Sequence, residues 1–153
     1  MEIYPDFREF VACANARDVR FLIVGGQAVA FHGHPRYTKD LDVWIERTPE
    51  NARRLIQALE DFGFASLELK AQDVLEPGQV IQLGYAPVRI DLLTSVSGVR
   101  FSNCYPRRQV KKAEGTMLPF IGLDDLRTSK RASGRLQDLA DVEALEEGSG
   151  NAS

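Results

Sequence analysis

Three aspartates interrupt short runs of apolar, strand-like residues, and this pattern constrains the fold more than any other feature of the chain. Asp40 and Asp42 lie in the run DLDVWI, and Asp91 lies in the run VRIDLL. In a β-strand, residues two apart project from the same face, so Asp40 and Asp42 share one face and Leu41 points to the other. If the two strands pair, three carboxylates meet on one patch of the sheet.

Carboxylates that share one patch repel one another unless a positive charge lies between them. A divalent cation that prefers hard oxygen ligands, Mg²⁺ or Mn²⁺, removes this conflict, so the three aspartates are the candidate metal ligands and catalytic residues. The alternative for Asp40 and Asp42 is a solvated edge strand, or acids paired with basic neighbours. Asp91 favours the metal, because an acid inside an apolar strand costs free energy unless something pairs with it.

A second feature is the pair Gly25-Gly26, between the strand-like run VRFLIV and the helix-compatible run QAVAF. Glycines permit a tight turn and a close approach of backbone N–H groups to a ligand, and a helix N-terminus favours phosphate. The spacing matches neither the dinucleotide-binding fingerprint nor the P-loop. Taken alone, the pair indicates a tight structural turn.

The rest of the chain alternates predicted helices and strands. The predicted elements are a helix over 6–16, strands over 19–24 and 40–45, a helix from a Thr48 cap to Gly63, strand-like runs within 64–93 with a turn at Pro77-Gly78, and helices from Leu123 broken near Gly134. The order α-β-α-β-α-β-β-α predicts an α+β fold. We expect a single domain over 1–147 and a flexible tail over 148–153.

Composition bounds the function classes. The chain has 153 residues, of which 44% are hydrophobic and 27% charged, as in one soluble globular domain. Its net charge of −3 argues against a protein that coats nucleic acid, but residues 100–135 carry nine basic and three acidic side chains, which suits a phosphate-bearing ligand. Cys13 and Cys104 are isolated, without the spacing of a zinc site. With no signal-like segment or membrane-length apolar run, the expectation is a cytoplasmic protein without a membrane partner.

The chemical elements follow one another in a fixed order along the chain. They are Val24-Gly25-Gly26, thirteen further residues, Asp40-Leu41-Asp42-Val43, and Arg89-Ile90-Asp91-Leu92. This order resembles the DNA polymerase β-like nucleotidyltransferase superfamily, and more closely its small bacterial members of the AbiEii toxin type. The resemblance is carried by FLIVGGQAVAFHGHPRYTKDLDVWI, PVRIDLLTSVSGVRF and LDDLRTSKRASGRLQDLADVEAL, together well over a third of the chain.

The resemblance implies the fold of that superfamily, a mixed β-sheet flanked by helices. It also implies transfer of a nucleoside monophosphate from a nucleoside triphosphate, ATP among them, to a hydroxyl acceptor. Asp40 and Asp42 would hold two Mg²⁺ (or Mn²⁺) ions, with Asp91 on the ion nearer the acceptor. The implied nucleotide-binding residues are Gly25, Gly26, Gln27, Arg36, Thr38 and Lys130. A solvated helix lysine is the alternative for Lys130, and pairing with the acids is the alternative for Arg36, Thr38 and Lys39.

The sequence also departs from the superfamily pattern. Gln27 follows two glycines, where many transferases have a serine that contacts phosphate. No stretch matches the long helical domain with which many members bind their acceptor, so we expect the acceptor (RNA, protein or a small molecule) to be supplied or positioned by an antitoxin or another helical partner protein. A toxin role within a toxin–antitoxin pair is implied by the resemblance alone.

One alternative function is an inactive nucleotide- or partner-binding module of the same fold. Another is a metal-dependent glycosyltransferase, against which the short chain and Asp91 both argue.

Other residues invite weaker interpretations. His32 and His34 are two apart, but no third metal ligand is evident, so loop or capping roles are favoured. Trp44 is expected in the core. The basic residues Arg107, Arg108, Lys111 and Lys112 form a solvated hairpin or, alternatively, an electrostatic guide for the acceptor.

Overall fold

The computed structural model describes residues 4–33, 39–64, 69–84 and 89–151, with side chains as far as residue 146. In this part of the chain the helices are α1 (Pro5–Ala16), α2 (Gly25–Phe31), α3 (Pro49–Phe62), α4 (Ala71–Leu75), α5 (Phe101–Cys104), α6 (Leu123–Ser133) and α7 (Leu136–Asn151), with a 3₁₀ turn at Tyr105–Arg107. The strands are β1 (Phe21–Val24), β2 (Asp40–Ile45), β3 (Val80–Leu83), β4 (Arg89–Leu93), β5 (Gln109–Ala113) and β6 (Thr116–Phe120).

The strands form one mixed sheet in the order β3-β4-β2-β1-β6-β5. Strands β1 and β2 are antiparallel, whereas β2 pairs with β4 and β1 with β6 in parallel. The two edge strands, β3 and β5, are antiparallel to their neighbours. The predicted fold class, an α+β protein with a mixed sheet flanked by helices, is confirmed, and so is the pairing of the two strands that carry the acids.

Helix α3 shows how local sequence fixes an element. The Thr48 hydroxyl accepts the backbone N–H of Asn51, Pro49 occupies the first turn, and Gly63 ends the helix in the left-handed conformation. The buried amide of Asn51 also donates to the backbone carbonyls of Arg20 and Glu46 and accepts the Arg20 N–H. These contacts fasten the start of α3 to the start of β1 and the end of β2.

The core lies between the sheet and the helices that pack on it. Helix α1 contacts α3 and β6, and its Phe7 and Phe10 are fully buried. Burial of aromatic and aliphatic side chains of this size supplies the main free energy of folding. Trp44 is buried with them, as its position after the acids predicts.

The structure differs from the sequence expectations between the clearest elements. Residues 71–75 form α4 rather than a strand, so Pro77-Gly78 turns from a helix into β3. The hairpin of β5 and β6 agrees with the hairpin expected around Lys111 and Lys112, although the bounds of its strands were not predicted. Its two-residue turn has Glu114 and Gly115 at positive φ, the backbone that Asn-Gly and Asp-Gly turns adopt. Helix α7 continues to Asn151, into the segment expected as a tail. Among the described residues, no helix has both the length and the apolar composition needed to cross a membrane.

Candidate active site

The parallel pairing of β2 and β4 brings the three predicted acids together. The register sets Asp42 opposite Asp91, and Asp40 opposite Arg89. Because residues two apart on a strand share a face, these four side chains form a two-by-two block on one surface of the sheet. The block carries three negative charges and one positive charge.

The carboxyl group of Asp42 has a raised pKa. Burial raises its pKa, and the neighbouring charges of Asp91 and Asp40 raise it further, to about 6. The positive charges of Arg89 and Lys130 act in the opposite direction without cancelling these effects. Functional sites often contain a carboxyl group that lies at the edge of a cleft and has a pKa raised by neighbouring acids.

Gly25 owes its identity to the close approach of Asp42. Its φ is +67°, and a Cβ atom added there would lie 2.1 Å from Asp42 Oδ2. Any side chain would therefore both strain the backbone and displace the carboxylate. Helix α2 begins at Gly25 itself, so the predicted turn is the first turn of a helix. Gly26 and Gln27 lie in the same turn, and Gln27 is buried.

A cleft of about 190 Å³ opens beside the acids, with Gly25, Asp42 and Lys130 in its wall. Sequence reasoning missed the hydroxyl groups of this cleft, which are those of Ser95, Ser97, Ser129 and Ser133. Hydroxyl donors and a lysine suit the oxygens of a phosphate chain. The run TSVS directly after β4, the strand that carries Asp91, was the available signal.

Lys130 is buried and not solvated, which excludes the alternative reading of this residue. Its Nζ donates to Asp138 Oδ1 at 3.0 Å and to Asp141 Oδ2 at 2.9 Å. All three side chains are less than a tenth exposed. The contacts join α6 to α7 across the turn at Gly134, and they hold the ammonium group at the wall of the cleft.

Lys130, Asp138 and Asp141 form a second charge cluster, and the pKa of Asp138 is shifted in the direction opposite to that of Asp42. Burial by itself raises the pKa of Asp138, but hydrogen bonds from three donors more than offset it and bring the pKa down to about 2. The donors are Ser133, Lys130 and Arg135. Asp138 is therefore firmly ionised at neutral pH.

The oxygen atoms of the three aspartates are suitable ligands for a divalent cation, but their side chains do not surround a common point. They supply hard oxygen donors, and Asp91 Oδ1 is buried without a hydrogen-bond partner in the described structure. Within residues 4–33, 39–64, 69–84 and 89–151, no three Asp, Glu, His or Cys side chains already surround one point as metal ligands would. Instead, Arg89 Nη2 lies 3.4 Å from Asp40 Oδ2 and 3.2 Å from Asp91 Oδ2.

The remaining candidates divide into three groups. Arg36, Thr38 and His34 lie outside the described residues, and Lys39 is exposed beside the acids. His32 caps the end of α2, and its Nε2 lies 2.7 Å from the carbonyl oxygen of Ile121, which bears out the capping role.

Basic side chains of residues 100–135 make contacts within the protein. Arg107 makes a bidentate pair with Asp125, at 3.0 and 2.8 Å. Arg108 stacks on Tyr105 at 4.0 Å from the ring centre. The hairpin interpretation holds for Lys111 and Lys112, which lie on β5.

Comparison with known proteins agrees with this geometry. A family model described as "Nucleotidyltransferase of unknown function (DUF6036)" matches residues 6–146. No curated protein matches the sequence significantly. Among solved structures, a candidate nucleotidyltransferase from Thermotoga maritima is 13% identical, with a TM-score of 0.59 over 95% of this chain and 94% of that one. An antigenic nucleotidyltransferase-like protein from Paracoccidioides brasiliensis is 15% identical, with a TM-score of 0.51 over 94% and 77%.

At such low identity, the solved structures show that the fold is shared and nothing finer. The family match extends over most of the chain and confirms the resemblance to nucleotidyltransferases, whereas the AbiEii type stays a prediction. The chain belongs to the DUF6036 family of nucleotidyltransferases.

Proposed function

We propose that the chain is an active, metal-dependent nucleotidyltransferase, with Asp40, Asp42 and Asp91 as its Mg²⁺ or Mn²⁺ ligands. The observation that carries the proposal is the block on β2 and β4, where three carboxylates crowd one sheet face beside a cleft. When bound, the metal would lower the pKa of the acceptor hydroxyl and neutralise the triphosphate. Burial of Asp42, together with the charges of Asp91 and Asp40, raises its pKa to about 6, and a bound cation would offset both effects.

The chain's own groups would position the nucleotide. The cleft is smaller than the roughly 300 Å³ of a typical complete ligand pocket, so it suits the phosphate chain rather than the whole nucleotide. Lys130 faces it with a charge, and Ser95 and Ser97 in its wall offer hydroxyl donors. The acceptor oxygen forms a bond to the α-phosphorus, the bond to pyrophosphate breaks, and the hydroxyl proton passes to water.

The acceptor, a hydroxyl group on RNA, protein or a small molecule, belongs to the same proposal. So do an antitoxin or helical partner that positions it, and the toxin role. Incubating the protein with an α-labelled triphosphate and each acceptor class shows which class receives the label. Arrest of growth on expression, absent for Asp42→Asn, tests the toxin role.

A second candidate is a non-catalytic nucleotide- or partner-binding module. It is favoured by the position of Arg89, which bridges two of the three acids and so leaves the cluster partly neutralised without a metal. This candidate predicts a triphosphate that binds without turnover, or binds equally well without a divalent cation.

The test combines binding and transfer. We expect thermal stabilisation by one of the four triphosphates only with Mg²⁺ or Mn²⁺, and no stabilisation of the double variant Asp40→Asn plus Asp42→Asn. In the transfer assay, Asp91→Asn should lower the rate by about a hundredfold to a thousandfold or more while the fold is kept. Asp124→Asn is the matched control, because that carboxylate is 96% exposed on α6. Wild-type transfer by Asp91→Asn would reject the assigned role.

A further inference from the structure

Arg89 is a positively charged residue inside the acid block that the proposed chemistry does not use. Its place is fixed by topology, because the β2–β4 register sets it opposite Asp40 and the two-residue period sets it on the face of Asp91. Its guanidinium group reaches both carboxylates through the same nitrogen, Nη2. Arg89 is thus held between two of the three candidate metal ligands.

The ion pair between Arg89 and Asp91 leaves a polar atom of each residue without a hydrogen-bond partner in the described structure. These atoms are the Nε of Arg89 and the Oδ1 of Asp91, and both are buried. A well-formed arginine–carboxylate pair uses two parallel N–H···O bonds, as Arg17 does with Asp61 at 2.7 and 3.1 Å. Because buried polar groups normally have partners, this arrangement is easily displaced by a better cation.

We propose that Arg89 is the resident counter-cation of the acid block and competes with the divalent cation for Asp40 and Asp91. This inference rests on the proposed function, in which those acids bind metal. A guanidinium and a divalent cation repel each other, so the metal can join both carboxylates only when the side chain of Arg89 turns away. Arg89 therefore stabilises the metal-free protein and weakens its affinity for the metal.

The competition also explains why the acids do not surround one point. With Arg89 between them, Asp40 and Asp91 are drawn to the guanidinium instead of to a shared position with Asp42. The arginine side chain is 38% exposed, so it has room to move into solvent without disturbing the core. The proposal thus requires a side-chain movement and no change of fold.

Calorimetric titration of the full chain with Mn²⁺ alone tests the proposal. We expect Arg89→Gln to bind Mn²⁺ about tenfold more tightly than the wild type, because one adjacent positive charge is gone. Arg17→Gln is the matched control: it makes the same change of net charge at another arginine–aspartate pair, and its Mn²⁺ affinity should equal that of the wild type. Arg89→Lys keeps the charge with a shorter reach, and its affinity should lie between the two.

The outcomes separate this inference from the proposed function. If the wild type binds Mn²⁺ and Arg89→Gln binds it no more tightly, the competition is rejected and the metal site stands. If neither protein binds Mn²⁺, the metal site fails and the inference fails with it. Thermal melting in EDTA should show Arg89→Gln folded but less stable than the wild type, with a larger gain on adding Mn²⁺. Should Arg89→Gln not fold, an unchanged affinity in Arg89→Lys would reject the proposal.

Discussion

Two charge clusters border the same cleft and differ in how completely they are paired. The first is the acid block of Asp40, Asp42 and Asp91 with Arg89, and the second is Lys130 with Asp138 and Asp141. In the first cluster the pKa of Asp42 is raised to about 6, and in the second the pKa of Asp138 is lowered to about 2. The same residue type is thus destabilised as an anion in one cluster and stabilised in the other.

The number of partners explains the difference. Asp138 accepts hydrogen bonds from Lys130, Arg135 and Ser133, so its buried charge is compensated within the protein. In the acid block one arginine serves more than one carboxylate and leaves Asp91 Oδ1 unpartnered. The cluster of Lys130, whose charges have partners within the protein, joins two helices. In the acid block, where a buried oxygen has no partner, a bound ligand would add the most stabilising free energy.

The largest effect is expected when the cluster of Lys130 is broken. Lys130→Met leaves Asp138 and Asp141 buried without the ammonium between them, and such a loss costs about 3–5 kcal/mol of unfolding free energy. For a chain of this size that corresponds to a fall of roughly 10 °C in Tm, measurable by thermal melting.

Lys112→Met is the control for this variant. Lys112 is exposed on the edge strand β5, so its removal should change the unfolding free energy by less than about 0.5 kcal/mol. If Lys130→Met were as stable as Lys112→Met, the cluster would not be a structural joint.

The acid block could be predicted from the sequence because its signals are local. The two-residue period of a strand puts Asp40 and Asp42 on one face whatever the rest of the chain does. The position of Asp91 required that its strand pair with theirs in a register that puts the three acids on one face, which the structure shows. Arg89, two residues before Asp91, carried the same signal, but its effect depends on the register with Asp40.

The partners of Lys130 could not be identified in the same way. Asp138 and Asp141 lie beyond the break at Gly134, and their contacts depend on the angle at which α7 folds back on α6. The sequence held only a coarse signal, a basic stretch followed by an acidic one. The basic stretch suggested a phosphate ligand. In the structure, however, the basic side chains Lys130 and Arg131 of α6 form ion pairs with acidic residues of α7.

The second effect is opposite pH dependence at Asp42 and Asp138. The native state keeps the proton of Asp42 up to about pH 6, while an unfolded aspartate releases it near pH 4, so about 3 kcal/mol of stability is lost as the pH rises through this range. Asp138 stays ionised down to about pH 2, so about 2 kcal/mol is present above pH 4 and is lost as the pH falls.

Urea unfolding in EDTA from pH 3 to pH 8 measures both contributions. Asp42→Asn should match the wild type in acid and be more stable at pH 8, because it lacks the loss that ionisation causes. Asp138→Asn should be less stable at pH 8 and approach the wild type in acid. Variants whose pH profiles run parallel to the wild type would contradict the contrast between the clusters.

The smallest effect is expected when the cluster of Lys130 loses one donor of several. The Ser133 hydroxyl hydrogen-bonds Asp138 Oδ2, which also accepts from Arg135 Nε at 2.8 Å, while Lys130 holds the other oxygen. Ser133→Ala therefore leaves no carboxylate oxygen unpartnered and should cost about 1 kcal/mol, measured by urea unfolding at pH 7. A loss as large as that of Lys130→Met would show that the hydroxyl stabilises the cluster as much as the ammonium does. A small loss means that the cluster tolerates removal of a neutral donor while it depends on its cation. In the acid block, by contrast, Arg89 contacts Asp40 and Asp91 through one nitrogen, and Asp91 Oδ1 has no hydrogen-bond partner among the described residues.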